Sequence, residues 1–98
     1  MENTYVVYSE EYYFSMNTFS TALRKNVYSV SYNEESAEEV KNMMEETLQK
    51  SVENGEINAN NEMLTTFDVK VISLEGKLSL EDAKKMAVNG DYTWGRSR

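Results

Sequence analysis

Two spacings of apolar positions divide this chain into extended and helical stretches. Residues 4–8 and 12–16 are rich in Tyr, Val, Phe and Thr and predict two short strands, joined through Ser9, Glu10 and Glu11. Residues 27–32 alternate, with Tyr28, Val30 and Tyr32 on one face and Ser29 and Ser31 on the other. Residues 63–74 form the strongest strand pattern, with Thr65, Phe67, Val69 and Val71 on one side and Thr66, Asp68 and Lys70 on the other. Between these stretches the spacing lengthens to three and four. Residues 17–26 predict a short helix that opens at Asn17–Thr18, ends at Asn26 and turns Phe19, Ala22 and Leu23 inward.

The best-defined element is a helix over 36–53. Ser36 and Glu39 form a capping-box pattern, and Asn54–Gly55 supplies the stop. Ala37, Val40, Met43, Met44, Leu48 and Val52 make its apolar stripe. Residues 54–61 read as a polar loop and Glu75–Gly76 as a turn. Ser79 with Asp82 caps a second short helix that stops at Asn89–Gly90. The tail 91–98 is expected to be flexible, with Tyr92 and Trp94 as anchors. These elements predict an α+β fold in one domain over residues 1–98: a small, mostly antiparallel sheet packed by one long acidic helix and one or two short helices.

Composition narrows the chemistry. The chain has 98 residues and no His, Cys or Pro, which excludes a Ser-His-Asp triad, a Cys-His pair, a CxxC motif, a disulfide and a structural zinc site. The first basic residue is Arg24, and the early apolar run covers only residues 5–8, so neither a secretory leader nor a membrane span is expected. A cytoplasmic protein is the expectation. Leu, Ile, Val and Phe number 20 of 98, near the roughly 20% at which charged chains lose the ability to fold. Tyr and Met add to a thin core, which self-association into a homodimer would complete.

Adjacent glutamates at 10–11, 34–35, 38–39 and 45–46 are candidate carboxylate pairs. General acid–base catalysis needs one of them raised by burial or by a close like charge, whereas neighbours on an exposed helix diverge by about 100° and stay solvated. GxGxxG, P-loop and nucleophile-elbow motifs are absent, so a non-enzymatic protein is expected. Residues 53–62 carry side-chain oxygens at alternate positions but lack the Asp at the first place and Gly at the sixth of a calcium loop. No metal or cofactor is expected. Tyr5, Tyr12, Phe14, Tyr28 and Tyr32 offer rings for stacking bases, yet only Arg24 and Lys25 accompany them to bind phosphates. Direct nucleic-acid binding is not expected.

The charge is uneven. Residues 1–33 carry a net −1, residues 34–62 carry −7 and residues 63–98 carry +1, so the central stretch holds a charge equal to the −7 of the whole chain. A helix macrodipole favours Glu34, Glu35, Glu38 and Glu39 near the N-terminus but not Glu45, Glu46 or Glu53. Glu35, Glu38, Glu39, Glu45, Glu46 and Glu53 are therefore the candidate partner-binding residues. From Glu35 to Glu53 the helix spans about 27 Å, comparable with the roughly 34 Å of one B-DNA turn. Rows of carboxylates along it can stand where phosphates stand in a basic groove.

In length, acidity, lack of Cys and the glutamate-rich segment 34–62, the chain resembles the small acidic phage-encoded inhibitors that disable host proteins, some by mimicking DNA. The resemblance is one of type. It implies an inhibitor acting in the host cytoplasm on a basic DNA-binding protein, with an HU-type nucleoid-associated protein as one candidate. The alternative reading is a small adaptor or antitoxin-like module using an apolar and aromatic surface around Tyr12, Tyr13, Met43 and Trp94.

Overall fold

The computed structural model describes residues 2–89. Five elements follow in the order β1 (Asn3–Ser15), β2 (Ser20–Ser31), α1 (Glu34–Asn54), β3 (Glu62–Glu75) and α2 (Leu80–Asn89). The strands form one antiparallel sheet in the order β2-β1-β3, so the fold is α+β. A strand of β1's length extends about 44 Å at 3.4 Å per residue, which accounts for the 46 Å long axis of the molecule.

Ser9, Glu10 and Glu11 do not connect two strands. They lie inside β1, where Ser9 pairs with Asn26 and Val69, Glu10 with Lys25 and Asp68, and Glu11 with Arg24 and Phe67. No Gly or Pro interrupts the extended run, and neighbours on both sides satisfy its backbone. Residues 17–26 are likewise not helical. Residues 16–19 turn and residues 20–26 return as part of β2. The turn is held from Ser15, whose carbonyl accepts from the Phe19 amide at 2.9 Å and whose Oγ accepts from the Asn17 and Thr18 amides. Phe19 takes a left-handed φ of 54°, a position usually marked by Gly or Asn. Ala22, Leu23, Arg24 and Lys25 have good helix propensity, but pairing along the whole of β1 overrides it.

Each strand partner of β1 carries one extra residue. Val7 pairs with Ser29 and Tyr8 with Val27, leaving Tyr28 as the bulge in β2. Tyr12 pairs with Thr66 and Tyr13 with Leu64, leaving Thr65 as the bulge in β3. The first bulge breaks the expected Tyr28–Val30–Tyr32 alternation. Val27 and Val30 then serve one core while Tyr28 turns to the other.

Two cores result, one on each face of the sheet. Ala37 and Leu48 of α1 pack on Val7, Leu64 and Val69, with Tyr5, Tyr13, Tyr28, Phe67 and Val71 around them. On the opposite face Ala83 and Ala87 of α2 pack on Val6, Tyr8 and Leu74, with Val27, Val30 and Ile72 beside them. Ala at both α2 contact positions lets the helix approach the sheet closely. Thr4, fully buried, fixes the connection into α2: its hydroxyl donates to the Gly76 carbonyl at 2.7 Å and accepts from the Leu78 amide at 2.8 Å. Ser79 caps α2, accepting from the Asp82 amide at 3.2 Å. The expected tail anchors Tyr92 and Trp94, and the stop at Gly90, lie outside the described residues.

Candidate protein-binding face

Helix α1 begins three residues earlier than the capping-box pattern predicts, at Glu34 and not at Ala37. The cap is Asn33, whose side-chain oxygen accepts from the Glu35 amide at 2.8 Å and the Ser36 amide at 3.4 Å. Glu34 and Glu35 therefore occupy the first turn, where the helix dipole favours them. At the other end Gly55 adopts φ 62°, and its amide closes the helix onto the Val52 carbonyl. No basic residue stands in the last turn.

The inward stripe consists of buried Ala37 and Leu48 with half-buried Val40, Met44 and Val52. Met43, expected in this stripe, is 59% exposed. It lies about 140° around the helix from Leu48, so the sheet cannot reach it.

All six candidate glutamates are on α1. At 100° per residue, Glu35, Glu39, Glu46 and Glu53 fall within about 40° of one another on the outer side, and Glu38 and Glu45 form a second row on the flank. Five are exposed, whereas Glu45 is half-buried. Lys41 Nζ lies 3.3 Å from Glu45 and Lys50 Nζ lies 3.5 Å from Glu46, each one turn away along the helix. Gln49 donates to Glu53 at 3.3 Å. Among the described residues, Glu35, Glu38 and Glu39 make no ion pair. The N-terminal half of α1 is therefore the more electronegative, and its carboxylates face solvent.

A buried carboxylate lies on the α1 side of the sheet, in the stretch that the sequence reading made a connection between two strands. Glu11 is 1% exposed. Its carboxylate accepts from the hydroxyls of Ser9 and Tyr28, and from that of Tyr13 at 2.5 Å. Burial pushes the Glu11 carboxyl up, but hydrogen bonds from Ser9, Tyr13, Tyr28 and Asn26 together outweigh it and hold the group below its ordinary value. Burial, followed by the bond to Glu11, pushes the Tyr28 phenol up to about 12, and the same causes raise Tyr13. The burial condition for a catalytic carboxyl is met here, but the shift runs opposite to that of a general acid. The alternation Tyr5–Val7–Ser9–Glu11–Tyr13 is the signal that locates Glu11, once β1 is taken as continuous.

Arg24 lies beside this cluster. Its guanidinium stacks 5.6 Å from the centre of the Tyr13 ring and meets Glu62 at 2.7 Å. An open cavity of about 450 Å³ adjoins it, lined by Tyr13, Leu48, Ser51, Glu56, Ile57, Asn58, Glu62 and Leu64. Among the described residues no three acidic side chains converge to hold a metal ion, and no helix is long and apolar enough to cross a membrane.

Compared with family models, curated proteins and solved structures, the chain matches none of them.

The aromatic surface of the alternative reading is not contiguous. Tyr12 points to the α2 side of the sheet, Tyr13 lies half-buried on the α1 side, Met43 is on the outside of α1, and Trp94 is outside the described residues.

Proposed function

We propose that this protein is a non-enzymatic inhibitor that docks the outer face of α1 on the basic, DNA-binding surface of another protein. A host nucleoid-associated protein of the HU type is one candidate target. The observation that carries this reading is the alignment of Glu35, Glu39, Glu46 and Glu53 in one outward row, flanked by Glu38 and Glu45, over about 27 Å of a helix whose other side is anchored in the core. The core-anchored helix fixes the backbone positions from which these side chains project, so the backbone of the face needs no ordering on docking. Lys and Arg side chains that neutralise phosphates would meet carboxylates spaced about 6 to 10 Å apart along the helix axis. The field would also accelerate encounter.

The test is the combined variant Glu38→Gln, Glu39→Gln, Glu45→Gln and Glu46→Gln, assayed by pull-down from bacterial lysate with and without competing DNA. The intact protein is expected to retain basic DNA-binding proteins that DNA displaces, with affinity falling steeply between about 50 and 300 mM salt. The variant should keep its circular dichroism spectrum and lose the partners. Affinity that survives the four substitutions, or is indifferent to salt, would rule the proposal out.

A further inference from the structure

The open cavity beside α1 is walled by residues that are held in place. Leu48 and Leu64 belong to the core under α1, and the ring of Tyr13 and the side chain of Ile57 complete an apolar lining. Ile57 remains 55% exposed, while the backbone around it is tied down. It bridges to Met63, and the Asn58 amide donates to the Glu62 carbonyl at 3.0 Å. The Asn58 side-chain oxygen accepts from the amides of Asn60 and Glu62, at 2.9 and 3.1 Å. The Met16 amide donates to the Asn61 carbonyl at 2.8 Å and links this segment to the β1–β2 turn. A hydrogen-bonded rim thus surrounds about 450 Å³, within the roughly 300–1,000 Å³ of small-molecule sites.

The polar side chains of the lining select the charge of what fits. Glu56 and Glu62 line the cavity and no basic residue does. The donors nearby are committed: the Tyr13 hydroxyl to Glu11 at 2.5 Å, the Asn58 side-chain amide to Glu62 at 3.5 Å, and Arg24 to Glu62 at 2.7 Å. Glu56 makes no ion pair among the described residues. It stands next to Gly55, at the negative end of the α1 dipole, and the last turn of α1 carries no base to offset that end. In a chain of net charge −7 the surrounding field repels an anion and draws in a cation. A bare metal ion does not suit the site, because no three acidic side chains converge among the described residues.

We propose that this cavity binds an organic ammonium ion carried on an apolar stem. The stem lies against Leu48, Ile57 and Leu64, and the ammonium meets the Glu56 carboxylate with the Ser51 hydroxyl as a further acceptor. The ring of Tyr13 adds an apolar wall whose face favours positive charge. The same chemistry can arrive as a free amine or as a Lys side chain of another protein. The cavity lies at the C-terminal end of α1, away from Glu35, Glu38 and Glu39, so the proposal does not depend on what the outer face of α1 binds.

Methyl NMR of the full chain, titrated with hexylammonium at constant ionic strength, tests it. Shifts are expected at the methyl groups of Leu48, Ile57 and Leu64, saturating with a Kd on the order of 1–10 mM. Hexanol should bind about fivefold more weakly, and hexanoate should not bind. Glu56→Gln should weaken hexylammonium by about two- to fivefold, while Glu39→Gln, the same charge change on α1 outside the cavity, should leave it unchanged. N-acetyl-lysine methylamide separates the sources: tighter binding than hexylammonium marks a protein side chain as the ligand, and weaker binding marks a free amine. No shifts at about 50 mM hexylammonium would overturn the proposal, and a cavity filled by another part of the chain gives that result. Hexanoate or hexanol binding as well as the ammonium, or equal losses in Glu56→Gln and Glu39→Gln, would overturn it too.

Discussion

Replacing Glu11 with Gln removes one charge while keeping the size and shape of the side chain. The native carboxylate receives three hydroxyl hydrogen bonds, from Ser9, Tyr13 and Tyr28, in a position that is 1% exposed. Bonds to a charged acceptor contribute about 1.5–3 kcal/mol each, roughly twice the neutral value. Gln retains one acceptor oxygen and presents an amide donor in place of the other, to which a rotated hydroxyl can still bond. What is lost is mainly the charge-assisted share, about 2–3 kcal/mol in total. For a domain whose whole stability is about 5–15 kcal/mol, that moves a urea midpoint by about 1–2 M at neutral pH.

The pH dependence gives a second reading of the same variant. Glu11 titrates below its ordinary value in the folded protein, so its stabilisation is complete above the unfolded carboxyl value of about 4.3. It is lost as pH falls through the lower, folded value. The gap between native protein and Glu11→Gln should therefore be widest near pH 7 and shrink steadily below about pH 4.5. Glu10, lowered mainly by its bond to Lys70, titrates alike in both proteins and cancels from the comparison. Equal urea midpoints at pH 7, or a gap that does not change on acidification, would refute the account of Glu11 as a buried, held carboxylate.

Two further substitutions test the connections between elements. Thr4→Val keeps the volume but strands the Gly76 carbonyl and the Leu78 amide, at an expected cost of about 2 kcal/mol, with faster hydrogen exchange at Leu78 as the direct readout. Asn33→Ala removes the α1 cap and should cost about 1 kcal/mol in urea denaturation, whereas Ser36→Ala, at the capping-box position that the helix does not use, should cost much less.

The elements with strong local periodicity were legible from the residues alone. Helix α1 was placed to within three residues at its start, because Leu48, Val52 and Met44 recur with helical spacing and Gly55 ends the run. Strand β3 and the capped start of α2 were legible for similar reasons. In the first 31 residues the extended stretches at 4–8, 12–15 and 27–31 were legible, but the continuity of β1 through Ser9–Glu11 and the strand over 20–26 were not. Ala22, Leu23, Arg24 and Lys25 favour helix by propensity, and Ser9–Glu10–Glu11 favours an exposed connection. Neither preference outweighs the pairing of a 13-residue strand on both edges. The turn at residues 16–19 lacks Gly and Pro and depends on the Ser15 side chain, a signal too local and too common to stand out.

The candidate glutamates divide in the same way. Their places on α1 follow from sequence spacing, since a helix of known register fixes which residues share a face. The burial of Glu11 does not follow from local sequence, because it depends on Tyr28 arriving from β2 through a bulge. The sequence by itself determined the charge asymmetry, the exclusion of His and Cys chemistry and the outward row of α1. Only the tertiary structure decided that a carboxylate is buried on the α1 side of the sheet, held by three hydroxyls. Propensity and periodicity are properties of neighbours along the chain, whereas burial is set by residues dozens of positions apart.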